Sequence, residues 1–166
     1  LLIFHYAAPS PLWFRRCGFI FLAVLSSGLL ALALKATLGR ARPKQFLKHE
    51  IYGFEFFKLD SDFQSFPSGH ATTCLALACA LSFLFPRWGK LLIPVGIALA
   101  FTRVIITAHF VSDIVAGCCV GLATVLLVRR VFAARGWLLH EPARMEQTSP
   151  APAVLAVQIA NRKSQI

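Results

Sequence analysis

Residues 17–34 read CGFIFLAVLSSGLLALAL and residues 114–128 read IVAGCCVGLATVLLV, two stretches without a charged side chain. A helix needs roughly 20 apolar residues to cross about 30 Å of hydrocarbon, where every backbone N–H and C=O must find its partner within the chain. Both stretches are therefore predicted to span a membrane. The cations around them, Arg15, Arg16, Lys35, Arg129 and Arg130, mark the levels at which they meet water.

Working outward, Pro9, Ser10 and Pro11 form a turn, and the first span covers residues 17–38 before Gly39 and Pro43 end it. A second covers 71–85 and stops at Pro86-Arg87-Trp88-Gly89-Lys90, a connection short enough to require an antiparallel helix hairpin. A third runs over 91–106, where Pro94 and Gly96 are tolerated because neighbouring helices re-satisfy the backbone. The last covers 110–128. Residues 44–66 mix charges with Phe46, Tyr52, Phe54, Phe56, Phe57 and Phe63, which suits a loop or short helix in the headgroup layer, or equally a packed loop. Leu1 opens inside an apolar run without a methionine, so the chain reads as a fragment with residues 1–8 the end of an earlier helix. The fold class is thus all-α, a polytopic membrane helix bundle with four complete transmembrane helices plus the end of an earlier one. Residues 1–136 form the membrane domain, and 137–166 a polar, mobile tail without helical periodicity.

The composition agrees: 57% of the 166 residues are hydrophobic and the mean hydropathy is +0.68. The net charge of +10 is dispersed between apolar spans, not gathered into a basic stripe with interleaved aromatics, which excludes a nucleic-acid partner. Five cysteines lie within apolar runs and form no C-x-x-C pair, so neither a disulfide framework nor a zinc site is indicated.

Successive antiparallel helices bring the end of the first span, the start of the second, the end of the third and the start of the fourth to one membrane face. Three ionisable clusters lie at those ends: Lys35 with Arg42-Pro43, Pro67-Ser68-Gly69-His70, and Arg103 with His109 and Asp113. The topology predicts that they share one site. Lys35 and Arg42, seven residues apart, are close to two helical turns from each other and would lean from one helix end toward one point, as two cations suited to a dianion. Ser68 and Gly69 open an apolar helix, where free amides and close backbone approach make an anion site, or where Ser68 is simply an N-cap and His70 an interfacial residue. Arg103 offers a bidentate fork for phosphoryl oxygens, and His109 and Asp113, at i and i+4, face the same way. A carboxylate holding one imidazole nitrogen leaves the other free to attack. A metal held by His70, His109 and Asp113 is conceivable on residue type, but the cations Lys35, Arg42 and Arg103 would repel a divalent ion.

Read together, K-x6-R-P, P-S-G-H and T-R-x5-H-x3-D resemble the signature of the type-2 phosphatidic acid phosphatase superfamily, which also contains vanadate-dependent haloperoxidases and glucose-6-phosphatase-like enzymes. Thr102 stands where that signature has Ser, keeping the hydroxyl and adding a methyl. The resemblance implies that His109 attacks phosphorus, that Asp113 orients it, and that His70 protonates the leaving oxygen. It implies that Lys35, Arg42, Ser68, Gly69 and Arg103 bind the phosphoryl oxygens, with no metal and no other cofactor.

A site at the membrane edge beside an aromatic loop predicts an amphiphilic substrate, a lipid phosphate or diphosphate drawn from the bilayer. Polyprenyl diphosphate, phosphatidylglycerol phosphate, phosphatidate and the phosphates of lipid A are candidates by resemblance. A lipid phosphotransferase and a catalytically silent membrane interaction protein are the alternatives; apolar spans disfavour a soluble haloperoxidase. Seven cations lie on the face opposite the site, and seven lie on the site face. Setting aside Lys35, Arg42 and Arg103 as phosphate ligands leaves seven against four, which predicts a bacterial inner-membrane protein with its site on the non-cytoplasmic face. Nothing in the sequence sets an oligomeric state.

Overall fold

A computed structural model describes residues 11–137. They form α1 (Pro11–Leu38), α2 (Pro43–His49), α3 (Gly69–Leu84), α4 (Gly89–Ile105) and α5 (Val111–Ala134), with single 3-10 turns at Ser61–Phe63 and Pro86–Trp88. No β-strand occurs among the described residues. The all-helical membrane bundle expected from the sequence is what is found. Three helical stretches, Leu12–Leu38, Pro86–Ile105 and Val111–Ala134, are long and apolar enough to cross a membrane. The fourth apolar helix, α3, has 16 residues, about 24 Å at 1.5 Å per residue, and lies in the middle of the others. Residues 1–8, expected to end an earlier helix, and the tail beyond Trp137 lie outside the described residues.

Lipid tails are as apolar as leucine side chains, so membrane helices associate through close packing. Here small residues make that packing possible. α3 packs on α1, α4 and α5 and buries Ala71, Thr72, Ala76, Ala78, Cys79 and Ala80. A Cβ added at Gly117 of α5 would lie 2.6 Å from the Ser68 carbonyl oxygen, and one at Gly121, a turn further on, would overlap the Thr72 carbonyl. On the other flank a Cβ at Gly96 of α4 would stand 2.7 Å from the Ala78 methyl. Larger side chains fill the end away from these contacts, where Phe19, Leu75, Val125 and Phe132 form a buried cluster and the Phe19 and Phe132 rings meet edge-to-face at 5.5 Å. Phe21, Leu29, Leu32 and Leu127 are exposed, as lipid-facing positions should be.

At the opposite end the chain turns sharply. Gly39 adopts φ +57, a left-handed value, and a Cβ there would overlap the Glu55 carbonyl, so only glycine fits this helix stop. The next residues pair with the loop: Ala41 N–H donates to Gly53 O at 3.0 Å, and Glu55 N–H to Gly39 O at 2.8 Å. Pro43 then opens α2 at a position where its missing N–H costs nothing. The aromatic segment is therefore a short helix followed by irregular chain, laid against the end of the bundle. Leu47, Phe56, Phe57 and Leu59 on it stay largely exposed.

Candidate active site

The helix ends named in the sequence do meet. Lys35, in the last turn of α1, donates from Nζ to the Gln64 carbonyl at 3.0 Å, and its ammonium lies 4.0 Å from where a Gly69 Cβ would be. Ser68 caps α3: its Oγ accepts the Ala71 N–H at 3.4 Å, and its own N–H donates to the Asp113 carbonyl at 3.0 Å, tying α3 to α5. His70, half-buried on the first turn of α3, has its Nε2 3.5 Å from Cys74 Sγ and lies within Coulombic reach of Arg103 and His109. Arg103, in the last turn of α4, uses its carbonyl to accept the N–H groups of Ala108 at 3.0 Å and His109 at 3.3 Å.

Arg42 reaches the group by a different route from the one expected. Gly39 ends α1, so Arg42 does not share a helix end with Lys35; it is the N-cap of α2. Its Nε donates to the Ser61 carbonyl at 2.9 Å. It remains within Coulombic reach of Lys35, carried there by the loop instead of by helical pitch.

The imidazole of His109 is held differently too. Its Nδ1 lies 2.8 Å from the Ser65 carbonyl oxygen, whereas the nearer Asp113 oxygen is 3.7 Å away, beyond hydrogen-bond distance. A carbonyl only accepts, so Nδ1 carries a proton, and it is Nε2 that holds the lone pair whenever the ring is neutral. Asp113 acts at one remove. Its Oδ2 accepts the Ser65 hydroxyl at 2.6 Å and the Phe110 N–H at 2.9 Å, which also caps α5.

The other oxygen of Asp113, Oδ1, takes the Arg40 guanidinium at 2.5 Å, an ion pair with side-chain exposures of 7% and 0%. Arg40 also donates to Ser112 Oγ at 2.7 Å and Tyr52 OH at 3.0 Å, and lies over the rings of Phe110, Phe54 and Tyr52 at 4.6, 5.4 and 5.6 Å. Sequence reasoning counted Arg40 among the interfacial cations and gave Ser65 no part in the site. One signal was present: an ionised carboxylate taken out of water needs a counter-charge, and the stretch from Lys35 to Arg42 held one cation beyond those assigned to phosphate.

With Asp113 matched by Arg40, the remaining site cations Lys35, Arg42 and Arg103 form no ion pair with a carboxylate among the described residues. The rim thus carries an excess of positive charge. Among the described residues no three His, Cys, Asp or Glu side chains gather so as to hold a metal ion.

Comparison with known proteins places this arrangement. The PAP2 superfamily pattern matches residues 17–137, well over half of the chain. The chain belongs to the PAP2 superfamily. Over 121 residues it is 44% identical to the lipid A 1-phosphatase of Rhizobium johnstonii, covering 73% of this chain and 50% of that protein. It is 42% identical to the lipid A 1-phosphatase of Rhizobium etli over the same length, with 73% and 52% covered. The chain spans about half the length of the curated relatives it matches.

All three parts of the PAP2 signature therefore sit at one rim of the bundle, each on a different helix end or the loop beside it. At the departure, Thr102, the Oγ1 donates back to the Leu99 carbonyl at 2.6 Å, a backbone group that also acts on His70.

Proposed function

We propose that this chain is the catalytic portion of an integral-membrane lipid phosphatase that works through a phosphohistidine and without a metal. The observation that carries the reading is the placement of His109: Nδ1 2.8 Å from the Ser65 carbonyl, which leaves Nε2 as the nitrogen without that partner, and His70, Lys35, Gly69 and Arg103 gathered at the same rim.

In this scheme the phosphoryl group rests against the Lys35 ammonium, the Arg42 and Arg103 guanidiniums and the amides that open α3 beyond Ser68. These compensate charge on the equatorial oxygens, which is most of what phosphoryl transfer asks of a protein. The His109 Nε2 lone pair forms a bond to phosphorus as the bond from phosphorus to the lipid oxygen breaks, and His70 gives its proton to that oxygen. His70, now neutral, takes a proton from water as the water oxygen attacks phosphorus and the N–P bond breaks. Phosphate departs and both imidazoles return to their starting states. The positive charge carried by the phosphorylated ring sits next to Asp113, at one remove through Ser65.

Three things support a lipid substrate. The relatives are named for lipid A 1-phosphate hydrolysis, which makes lipid A 1-phosphate the first candidate. The site opens at a rim covered by exposed Phe56, Phe57 and Leu59. Finally, an apolar crevice of about 530 Å³ lies between Cys17, Ile20, Phe21, Val24 and Leu25 of α1 and Leu77 of α3. Val24 and Lys35 are eleven residues apart and His70 and Leu77 seven, so at about 100° per residue each pair shares a helix face. Gly28, between Val24 and Lys35, leaves open space. The crevice thus continues the stripes that carry the phosphate ligands, and it suits an acyl chain.

Burial of Arg40 sharpens the charge count across the membrane. Removing it from the interfacial cations leaves seven on the far face against three on the site face, in favour of a site on the non-cytoplasmic side of a bacterial inner membrane. The deciding experiment is release of phosphate from lipid A 1-phosphate by purified protein, with trapping of an acid-labile, base-stable phosphoenzyme that is absent in His109→Ala. Turnover that survives His109→Ala removes histidine from the nucleophile role.

A further inference from the structure

The contacts around His109 close on themselves. The Arg40 carbonyl accepts the Ser65 N–H at 3.0 Å. The Ser65 hydroxyl then donates to Asp113 Oδ2 at 2.6 Å, and Asp113 Oδ1 accepts the Arg40 Nη1 donor at 2.5 Å. Three residues drawn from three parts of the chain thereby form one ring of hydrogen bonds. His109 hangs from it by the Ser65 carbonyl at 2.8 Å.

We propose that Arg40 is a positioning residue for phosphoryl transfer: it neutralises Asp113 and, with Ser65, sets the height and tautomer of His109. The inference rests on the phosphohistidine reading given above. Two observations set it apart from a purely structural role. A guanidinium 7% exposed, whose Nε is a buried side-chain nitrogen without a partner, is a costly way to fill space, since an apolar replacement for a buried ion pair is often as stable or more so. In addition, Arg40 grips the nucleophile's support twice, its main-chain oxygen on Ser65 and its guanidinium on Asp113.

Its charge also governs what His109 feels. Asp113 from α5 and His70 from α3 act on that imidazole; one step further out, Arg103 acts on His70, Lys35 and Arg40 act on Asp113, and Arg42 acts on Lys35. Asp113 is the one anion among them. Unmatched, it would favour the protonated imidazole, which cannot attack.

The test compares wild type, Arg40→Gln and Arg40→Lys for kcat, KM and the pH dependence of kcat/KM on one lipid phosphate, with phosphoenzyme trapping throughout. Arg40→Gln is expected to lower kcat roughly 30-fold or more with KM within about threefold, and to move the acidic limb up by about one pH unit, the size of a close charge effect. Arg40→Lys, which keeps the charge without the fork, should return the limb to its wild-type place while recovering only part of kcat. Equal losses in both variants with an unmoved limb would reduce Arg40 to a packing residue, and wild-type kinetics in Arg40→Gln would overturn the proposal outright. Should Arg40→Gln fail to insert or fold, Ser65→Ala decides: it cuts one edge of the ring yet leaves the carbonyl, and must show the same limb movement, smaller in size. Absence of phosphoenzyme in wild type would instead sink the underlying mechanism, so the two failures are told apart.

Discussion

The Nδ1 of His109 lies 2.8 Å from the main-chain oxygen of Ser65, and the carboxylate of Asp113 is 3.7 Å away. A backbone acceptor cannot change its protonation state and moves only with the chain. The imidazole is therefore held in one tautomer by a group that no point substitution removes, with Asp113 as its electrostatic support. Loss of His109 itself is expected to abolish turnover, with kcat down by at least about 10³-fold while the protein stays inserted. Phosphate release and detergent-extracted thermal unfolding, measured on His109→Ala, check both halves.

In the proposed scheme His109 attacks as the neutral ring and a protonated His70 releases the lipid oxygen, so activity should fall at both ends of the pH scale. The acidic limb reports protonation of His109 and the alkaline limb loss of the proton on His70. In His70→Asn the alkaline limb should vanish. The defect should shrink with p-nitrophenyl phosphate, whose leaving oxygen needs no proton. A full alkaline limb in that variant would assign the acid elsewhere.

Gly117 faces the Ser68 carbonyl with a Cβ position 2.6 Å from it and 3.1 Å from the Ala71 methyl and Thr72 Oγ1. Gly117→Ala should wedge α5 from the start of α3, costing about 1–3 kcal/mol by overpacking and displacing the anion-binding amides. Gly18→Ala, with nothing within 4 Å, is the control and should be neutral in thermal unfolding. Equal stability of the two variants would contradict the packing described.

Filling the crevice between α1 and α3 separates tail from head. Leu77→Trp is expected to raise KM for a long-chain lipid phosphate about tenfold, through the close packing of tail against groove that it removes, and to leave hydrolysis of a short water-soluble phosphate unaltered. A uniform loss on both substrates would mean that the crevice serves the fold and not the tail.

Leu59 is 72% exposed on the loop at the site end. A cysteine introduced there should react with an impermeant maleimide in intact spheroplasts. Labelling only after permeabilisation would put the site on the cytoplasmic face. Ser65, though on the same loop, is fully buried and unsuited to such a probe.

The helices were legible because lipid solvation leaves so little choice: residues 17–34 and 114–128 cannot be anything else in a bilayer. Alternation of direction then brought Lys35, Ser68, Gly69, His70, Arg103 and His109 to one rim, and the fold keeps them there. What spacing could not convey was pairing. Seven residues separate Lys35 from Arg42 on paper as two turns of helix, but Gly39 at φ +57 breaks the count. Arg40 looked like one more flanking cation because its partner, Asp113, is 73 positions away. Ser65 was invisible for a different reason: its main-chain oxygen is the group that matters at His109, and every residue has one.

The shortness of α3 carries one last consequence. At 16 residues it falls about 6 Å short of a 30 Å hydrocarbon slab, and Ser68 at its tip carries amides that cannot be left in oil. The polar boundary must dip inward to meet them, making a shallow well in the leaflet. A phosphate headgroup could then sink to His109, with water beside it, while its lipid stays in the bilayer.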